Sequence, residues 1–268
     1  MSNSGPNNAD SDTDFGGVPN APPRSTNIAD GVFEDLRSQI LSGKLKAGER
    51  LIGERELATA YGTNRNTLRE AVRKLEQARL VTVRHGRGVT VSDFRKTGTL
   101  ELMYPYLQSG PDMAEVLRIV EDILVPRILL IEYATRLAVR RAEPADLNRL
   151  RELSVLLVTA FEARDANAVA KGFQRWLDAL VDAGHSVAVR WIANPFLEAL
   201  RHTLDRLPML WILEPSFPSH LLEVVRAVEE NDEERGVVAT RRYYERVDAQ
   251  LLGILNIGIT PAAPADKP

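Results

Sequence analysis

The chain has 268 residues, 44% of them hydrophobic, which suffices for a sizeable core and, at about 150 residues per domain, suggests two domains. It contains no cysteine, so a disulfide framework, thiolate chemistry and a zinc ribbon are excluded. The net charge of −3 hides an asymmetry: residues 27–95 hold 13 Lys and Arg against 9 Asp and Glu, whereas the flanking stretches are net acidic, as suits a DNA-binding head on a body that repels phosphate.

Residues 1–26 are rich in Ser, Asn, Asp, Gly and Pro and nearly free of large apolar groups. They cannot repay the entropy of ordering, and a disordered tail is expected there. No basic and apolar leader opens the chain, and no apolar run approaches the roughly 18 residues of a membrane span. A cytoplasmic protein is the expectation. Ile28, Val32, Phe33, Leu36 and Ile40 then keep helical spacing up to Gly43. Ala47-Gly48-Glu49-Arg50 reads as a turn. A short helix is predicted over Glu54–Tyr61, ending at Gly62. A second runs from about Asn64 to about Ala78, with Leu68, Ala71, Val72 and Leu75 as its buried stripe. The runs Leu80–Arg84 and Val89–Ser92 flank His85-Gly86-Arg87-Gly88 and read as a β-hairpin. Residues 27–95 are thus predicted to be a winged helix-turn-helix, followed by a linker over 96–111.

Beyond Thr97 helical periods dominate. Helices are predicted near 112–140, 144–163, 165–183, 186–206, 217–230 and 232–256, with Pro126 expected to kink or split the first. Short connections imply an antiparallel all-α bundle over 112–258 and a frayed tail over 259–268. The fold class expected is mainly α.

The helix near Asn64 carries Arg65, Arg69 and Arg73 four residues apart, on one side. Asn64, Asn66 and Thr67 lie at its amino end. Asn64 is one candidate cap; Thr67-Leu68-Arg69-Glu70 also matches a capping box and competes for the helix start. Arg can donate twice to guanine, Asn can pair with adenine, and Thr can meet phosphate or a thymine methyl. Such a stripe alone also describes a solvated helix face. The cations of Arg84-His85-Gly86-Arg87 at a tight turn tip the balance, because they suit a wing that enters a minor groove or tracks phosphate.

These residues resemble the N-terminal domain of the GntR family of bacterial transcriptional regulators. The resemblance rests on Gly53-Glu54-Arg55-Glu56-Leu57-Ala58, on Tyr61-Gly62-Thr63-Asn64-Arg65-Asn66-Thr67-Leu68-Arg69-Glu70-Ala71, and on Leu75-Glu76 with Leu80-Val81. The chain departs from the family at Leu51-Ile52-Gly53, where a proline is common, and at Arg79, where a glycine is common. The resemblance implies that Arg55, Arg65, Arg69 and the Gly86 region contact an operator. It also places Asn64, Asn66, Thr67 and His85 where the family reads bases and phosphates. The wing is most similar to the FadR-like branch, whose wing histidine enters the minor groove; that role falls on His85.

In that branch an all-helical domain binds a small-molecule effector and drives dimerisation. One version, the FCD domain, holds a metal through an Asp and three His. The positions that match are Ala170, Gln174, Leu221 and Tyr243, and His85, His185, His202 and His220 form no i, i+3 or i, i+4 pair. No metal and no other cofactor is expected. Arg241-Arg242-Tyr243 resembles a run of the acyl-CoA-binding version, but a glycine lying against that ligand corresponds to Tyr244, a small hydroxyl to Val247 and a Trp to Leu251. The resemblance implies a small-molecule effector, a fatty acyl-CoA in this branch, and these departures leave an organic acid or no ligand as the alternative. Arg127, among Ile123, Leu124, Ile128, Leu129 and Leu130, either meets an anionic ligand, pairs internally or snorkels. Trp176, Tyr243 and Tyr244, with Phe173 and Trp191, are pocket candidates, although aromatics at helical spacing are commonly plain core.

Three functions compete. A ligand-responsive regulator on a pseudo-palindromic double-stranded operator, working as a homodimer, explains the head and its need for a second copy. An enzyme is disfavoured, since there is no phosphate loop and no nucleophile signature. A protein-interaction module with an acidic partner is the remaining alternative.

Overall fold

The computed structural model describes residues 27–84, 86–206 and 214–259. The expected tail over 1–26, His85 and residues 260–268 lie outside them. The chain divides after Gly98 into two compact units.

The first unit opens with α1 (Ile28–Leu41). Asn27 caps it by accepting from the Ala29 amide at 3.0 Å, and Ala29, Val32, Leu36 and Ile40 are buried. Helix α2 (Glu54–Ala60) follows, and Gly62, at φ +58°, turns the chain into α3 (Arg65–Gln77). The buried face of α3 is Leu68, Ala71, Val72 and Leu75. Tyr61 is buried at the end of α2 and donates its hydroxyl to Asp35 of α1 at 2.5 Å, while Gln39 donates to the same carboxylate oxygen at 2.7 Å. That network ties α2 to α1. Strands β1 (Val81–Arg84) and β2 (Gly88–Val91) pair antiparallel, Val81 opposite Val91 and Arg84 opposite Gly88. A third segment joins them. Leu51 donates to Val89 at 3.0 Å, Val91 donates to Glu49 at 2.8 Å, and Arg50 bridges Thr90. The stretch predicted as a plain turn at 47–50 thus ends in an edge of the wing sheet.

In the predicted linker the backbone is helical in short pieces. Helix α4 (Phe94–Thr97) closes the first unit, and Thr97 donates its hydroxyl to the Arg79 carbonyl at 2.9 Å. A 3₁₀ turn (Leu100–Leu102) and α5 (Met103–Gln108) begin the second unit, both packed on its later helix over Val187–Arg206.

The second unit is built from α6 (Met113–Arg141), α7 (Pro144–Glu162), α8 (Ala166–Asp182), α9 (Val187–Arg206), α10 (Phe217–Glu230) and α11 (Glu233–Ile259). Helix α6 runs through Pro126 as one element, so the predicted split does not occur. A proline inside a long helix forfeits one hydrogen bond, and the packing on both sides carries the helix past it. Helix α6 lies along α11, α7 along α8, and α10 between α7 and α11. The core is aromatic: Phe173, Trp176, Phe217, Tyr243 and Tyr244 are each 2% exposed or less. The Trp176 indole donates to Ser154 at 2.9 Å, and Ser154 donates on to the Leu150 carbonyl at 2.7 Å, so a deep N–H is satisfied. Gly172 allows α8 to approach α7 closely; a Cβ there would sit 2.8 Å from Leu157 Cδ2. Glu132 of α6, 8% exposed, receives both arms of the Arg241 guanidinium at 2.7 and 2.8 Å. This bidentate pair locks α6 to α11.

Candidate nucleic-acid interface and effector domain

The DNA-reading face is set by how α3 begins. Asn64 has extended backbone angles, and its side-chain oxygen accepts from the Thr67 amide at 2.9 Å and the Thr67 hydroxyl at 3.2 Å. Asn64, rather than the competing box at Thr67, caps the helix. Capping fixes the first turn and aims it outward, with Asn64, Arg65 and Asn66 exposed and Thr67 half-buried. Arg69 and Arg73 follow on exposed turns of the same helix. Arg69 donates Nε to Glu54 at 2.9 Å across the helix-turn-helix. Both side chains are substantially exposed, so this pair adds little stability and can open for a phosphate. Among the described residues no carboxylate pairs with Arg55, Arg65, Arg73 or Arg87. Lys74, by contrast, is held by Asp30 at 2.5 Å and Glu70 at 3.1 Å. Those two carboxylates keep its ammonium above the usual range.

The wing brings Arg84, Gly86 and Arg87 to one exposed turn, closed by the Arg87 amide on the Arg84 carbonyl at 2.9 Å. His85 belongs to this turn in sequence and lies outside the described residues. Arg50 packs its guanidinium against the wing backbone, 3.2 Å from where a Cβ on Gly88 would stand. Sequence reasoning missed Arg50, because its place on the wing depends on a strand edge too short to show alternation. Gly88 sits at φ +80°, where a side chain is strained. Gly88→Ala is expected to lower stability by about 1–2 kcal/mol in urea unfolding and to displace Arg50; an unchanged midpoint would contradict it.

In the second unit Arg127 is an internal partner first: its guanidinium is bonded to Asp248 and stacks 4.7 Å above the Tyr244 ring. Burial raises the Asp248 carboxyl, with Arg127 opposing that shift. The Arg127 Nε has no partner and is buried. Arg127 and Tyr244 line a small inner cavity of about 30 Å³, otherwise walled by apolar side chains such as Leu130, Ala134, Leu177 and Leu197. That is room for a water or two. Tyr243 instead lines a separate cleft between α10 and α11. Two pocket candidates are corrected. Trp176 is 0% exposed, bonded to Ser154 and absent from every cavity wall described, and Trp191 is 71% exposed on α9. Aromatic spacing alone does not separate core, surface and pocket.

A metal finds no donors at the positions that match the metal-binding version. Ala170 and Leu221 offer hydrocarbon, Gln174 a neutral amide and Tyr243 a phenol whose deep burial holds its proton on. Among the described residues no three His, Cys, Asp or Glu gather as a metal would need.

A capped, arginine-bearing second helix beside a basic wing, joined to an all-helical bundle, defines a bacterial one-chain transcriptional regulator. Residues 28–91 match the profile of bacterial regulatory proteins of the gntR family, and residues 122–246 match the FCD domain. The chain belongs to the GntR family, as a DNA-binding transcriptional regulator with an FCD effector-binding domain. It is 29% identical to the HTH-type transcriptional regulator Mce2R of Mycobacterium tuberculosis over 232 residues, covering 85% of this chain and 93% of the relative. It is 25% identical over 205 residues to a putative L-lactate dehydrogenase operon regulatory protein of Escherichia coli, covering 75% and 76%. The fatty acid metabolism regulator protein of Vibrio cholerae is 30% identical over 122 residues, 44% of this chain and 43% of that one. Among solved structures, the Listeria monocytogenes Lar protein, which controls the agr system, superposes with a TM-score of 0.53 at 15% identity, covering 85% of this chain and 98% of that one, and supports the fold alone. No helix among the described residues is long and apolar enough to cross a membrane.

Proposed function

We propose that the protein binds a pseudo-palindromic operator as a homodimer, with Arg65, Asn66 and Thr67 on bases and phosphates, Asn64 orienting them, Arg55 and Arg69 on the backbone, and Gly86 and Arg87, with His85, at the wing. The observation that carries this reading is the exposed, cation-rich first turn of α3, held by the Asn64 cap. One head offers few base contacts, and two related by a two-fold axis read both halves of a site. An exposed apolar stripe on α6 supports a second copy: Val125, Leu129 and Tyr133 recur every four residues and are 62%, 58% and 51% exposed. For the effector, a short organic anion is favoured over a fatty acyl-CoA, since Tyr244 is buried where the acyl-CoA-binding version has a glycine; the inner cavity of about 30 Å³ would have to widen even for the smaller ligand.

Selection of duplexes from a randomised pool should enrich an inverted repeat, and light scattering at micromolar concentration should give a dimer. Leu129→Glu should weaken that dimer at least tenfold, because a charge on a covered apolar face must be desolvated. Enrichment of no sequence, or a wild-type monomer, would overturn the reading. Native mass spectrometry of protein from its own host distinguishes a retained organic acid from an acyl-CoA.

A further inference from the structure

We propose that Arg50 is a further DNA-contacting residue, which holds a backbone phosphate behind the turn that carries Gly86 and Arg87. The inference rests on the operator-binding reading above and extends it to a residue that belongs to neither α2 nor α3, nor to either strand of the hairpin. Arg50 reaches the wing because Glu49–Leu51 runs along β2. Leu51 donates to Val89 at 3.0 Å, Val91 donates to Glu49 at 2.8 Å, and Arg50 stands opposite Thr90.

The register sorts the side chains of this sheet. Successive residues of a strand point to opposite faces, and residues directly opposite one another share a face. Leu51, Val81, Val89 and Val91 are buried and make the inner face. Arg50, Thr82, Arg84, Gly88 and Thr90 alternate with them and make the outer face. Arg50, Thr82 and Arg84 are exposed there. Arg84 is the cross-strand partner of Gly88, and the Arg50 guanidinium lies against the same glycine from the other side. Its Nε and Nη2 are each 3.2 Å, and its Cζ 3.6 Å, from where a Cβ on Gly88 would stand. Three guanidinium atoms at similar distances mean that its flat face, not an N–H edge, meets the glycine.

The donors of Arg50 are left free for another molecule. Among the described residues its side chain makes no hydrogen bond and meets no carboxylate. Two nearby carboxylates are turned elsewhere: Glu49 accepts from the Lys46 amide at 2.8 Å, and Glu76 accepts from the Val83 amide at 3.1 Å. The strand pairing fixes the Arg50 backbone and Gly88 supports the guanidinium, so less freedom is lost on binding than by an arginine on an open loop. Two cations on one sheet face without a counter-charge repel each other, and an anion placed over that face attracts both. Duplex DNA offers such an anion about every 1.7 Å along its axis. Arg50 sits on the face behind the turn, where it meets the rim of a groove and not its floor. A phosphate therefore fits it better than a base edge.

The test compares the full chain with its Arg50→Gln and Arg50→Lys variants by fluorescence anisotropy, on the selected operator and on an unrelated duplex, at several salt concentrations. Arg50→Gln should weaken both duplexes alike, by roughly tenfold per head in about 0.1 M salt, and should lower the slope of log affinity against log salt by about one per head. Arg50→Lys keeps the charge and should keep the slope. Urea unfolding of Arg50→Gln should match the wild type, because an exposed side chain without a partner adds little to the fold. If Arg50→Gln binds with wild-type affinity and slope, this inference is overturned and the operator reading stands. If the wild type binds neither duplex, the operator reading itself falls and takes this inference with it. The inference is also overturned if Arg50→Lys loses as much slope as Arg50→Gln, which would make the residue a prop for the wing. A loss confined to the operator would put Arg50 on a base edge and overturn the phosphate assignment.

Discussion

Replacing Arg65 and Arg69 together with alanine is expected to reduce operator affinity by a factor of 100 or more, while leaving the fold intact. Arg65 is exposed, lies one residue past the Asn64 cap, and has no carboxylate partner among the described residues. A guanidinium in that place is free to meet a base edge or a phosphate, and a good bidentate base contact is worth about 1–3 kcal/mol. Arg69 first has to leave Glu54, at a cost of no more than about 1 kcal/mol for an exposed pair. The two single variants should differ in kind. If Arg65 touches a base, Arg65→Ala relaxes sequence preference at one position of each half-site. If Arg69 touches phosphate, Arg69→Ala weakens every duplex alike and flattens the salt dependence by about one counterion per head. Gel shifts at several salt concentrations measure both. A double variant that retains wild-type affinity would remove α3 from the interface.

Much of this head was legible because its determinants are local. Leu68, Ala71, Val72 and Leu75 repeat with the helical period, and all four are buried in α3. The contest between Asn64 and Thr67 for the cap was not decidable from residue types, since both fit a cap; only the backbone angles and the 2.9 Å bond settle it. The third edge of the wing was missed because Glu49–Leu51 is too short to show alternation. In the bundle, the helices were legible and their ion pairs were not. Arg127 with Asp248 and Arg241 with Glu132 lie more than a hundred residues apart, and nothing in either helix names its partner. The same holds for the apolar stripe of α6. Val125, Leu129 and Tyr133 have the spacing of a core face, and only packing reveals that a different face of the helix is turned inward.

His220 should make the protein's stability fall as the solution is acidified from neutrality, well before the carboxylates titrate. Its ring is fully enclosed, stacked on Tyr243, with Trp176 and Tyr244 edge-on at 5.8 and 6.1 Å. Burial pushes its pKa from the ordinary 6.5 down to about 3, with the bond to the Ala239 backbone only partly opposing the shift. Among the described residues no carboxylate touches the ring; the charged groups bordering its cleft are Glu223, paired to Arg235, and the cations Arg242 and Arg246. The unfolded chain therefore binds a proton below pH 6.5 that the folded chain refuses, so stability is complete above 6.5 and is lost as pH falls toward 3. Between pH 7 and 4.5 the loss is about 2–3 kcal/mol, from 1.36 kcal/mol per pH unit weighted by protonation of the unfolded state. Asp146, Glu223 and Glu233 are held below the carboxylate range by their hydrogen-bond partners and cost stability only at still lower pH. Asp248, raised by burial, works in the opposite direction. His220→Phe keeps a ring against Tyr243 and removes the titration. Urea unfolding of both proteins at pH 7 and pH 4.5 isolates the difference: the wild type should lose about 2–3 kcal/mol more than the variant. Equal losses would mean that His220 takes up its proton inside the folded bundle, and that the cleft beside it lets water reach the ring.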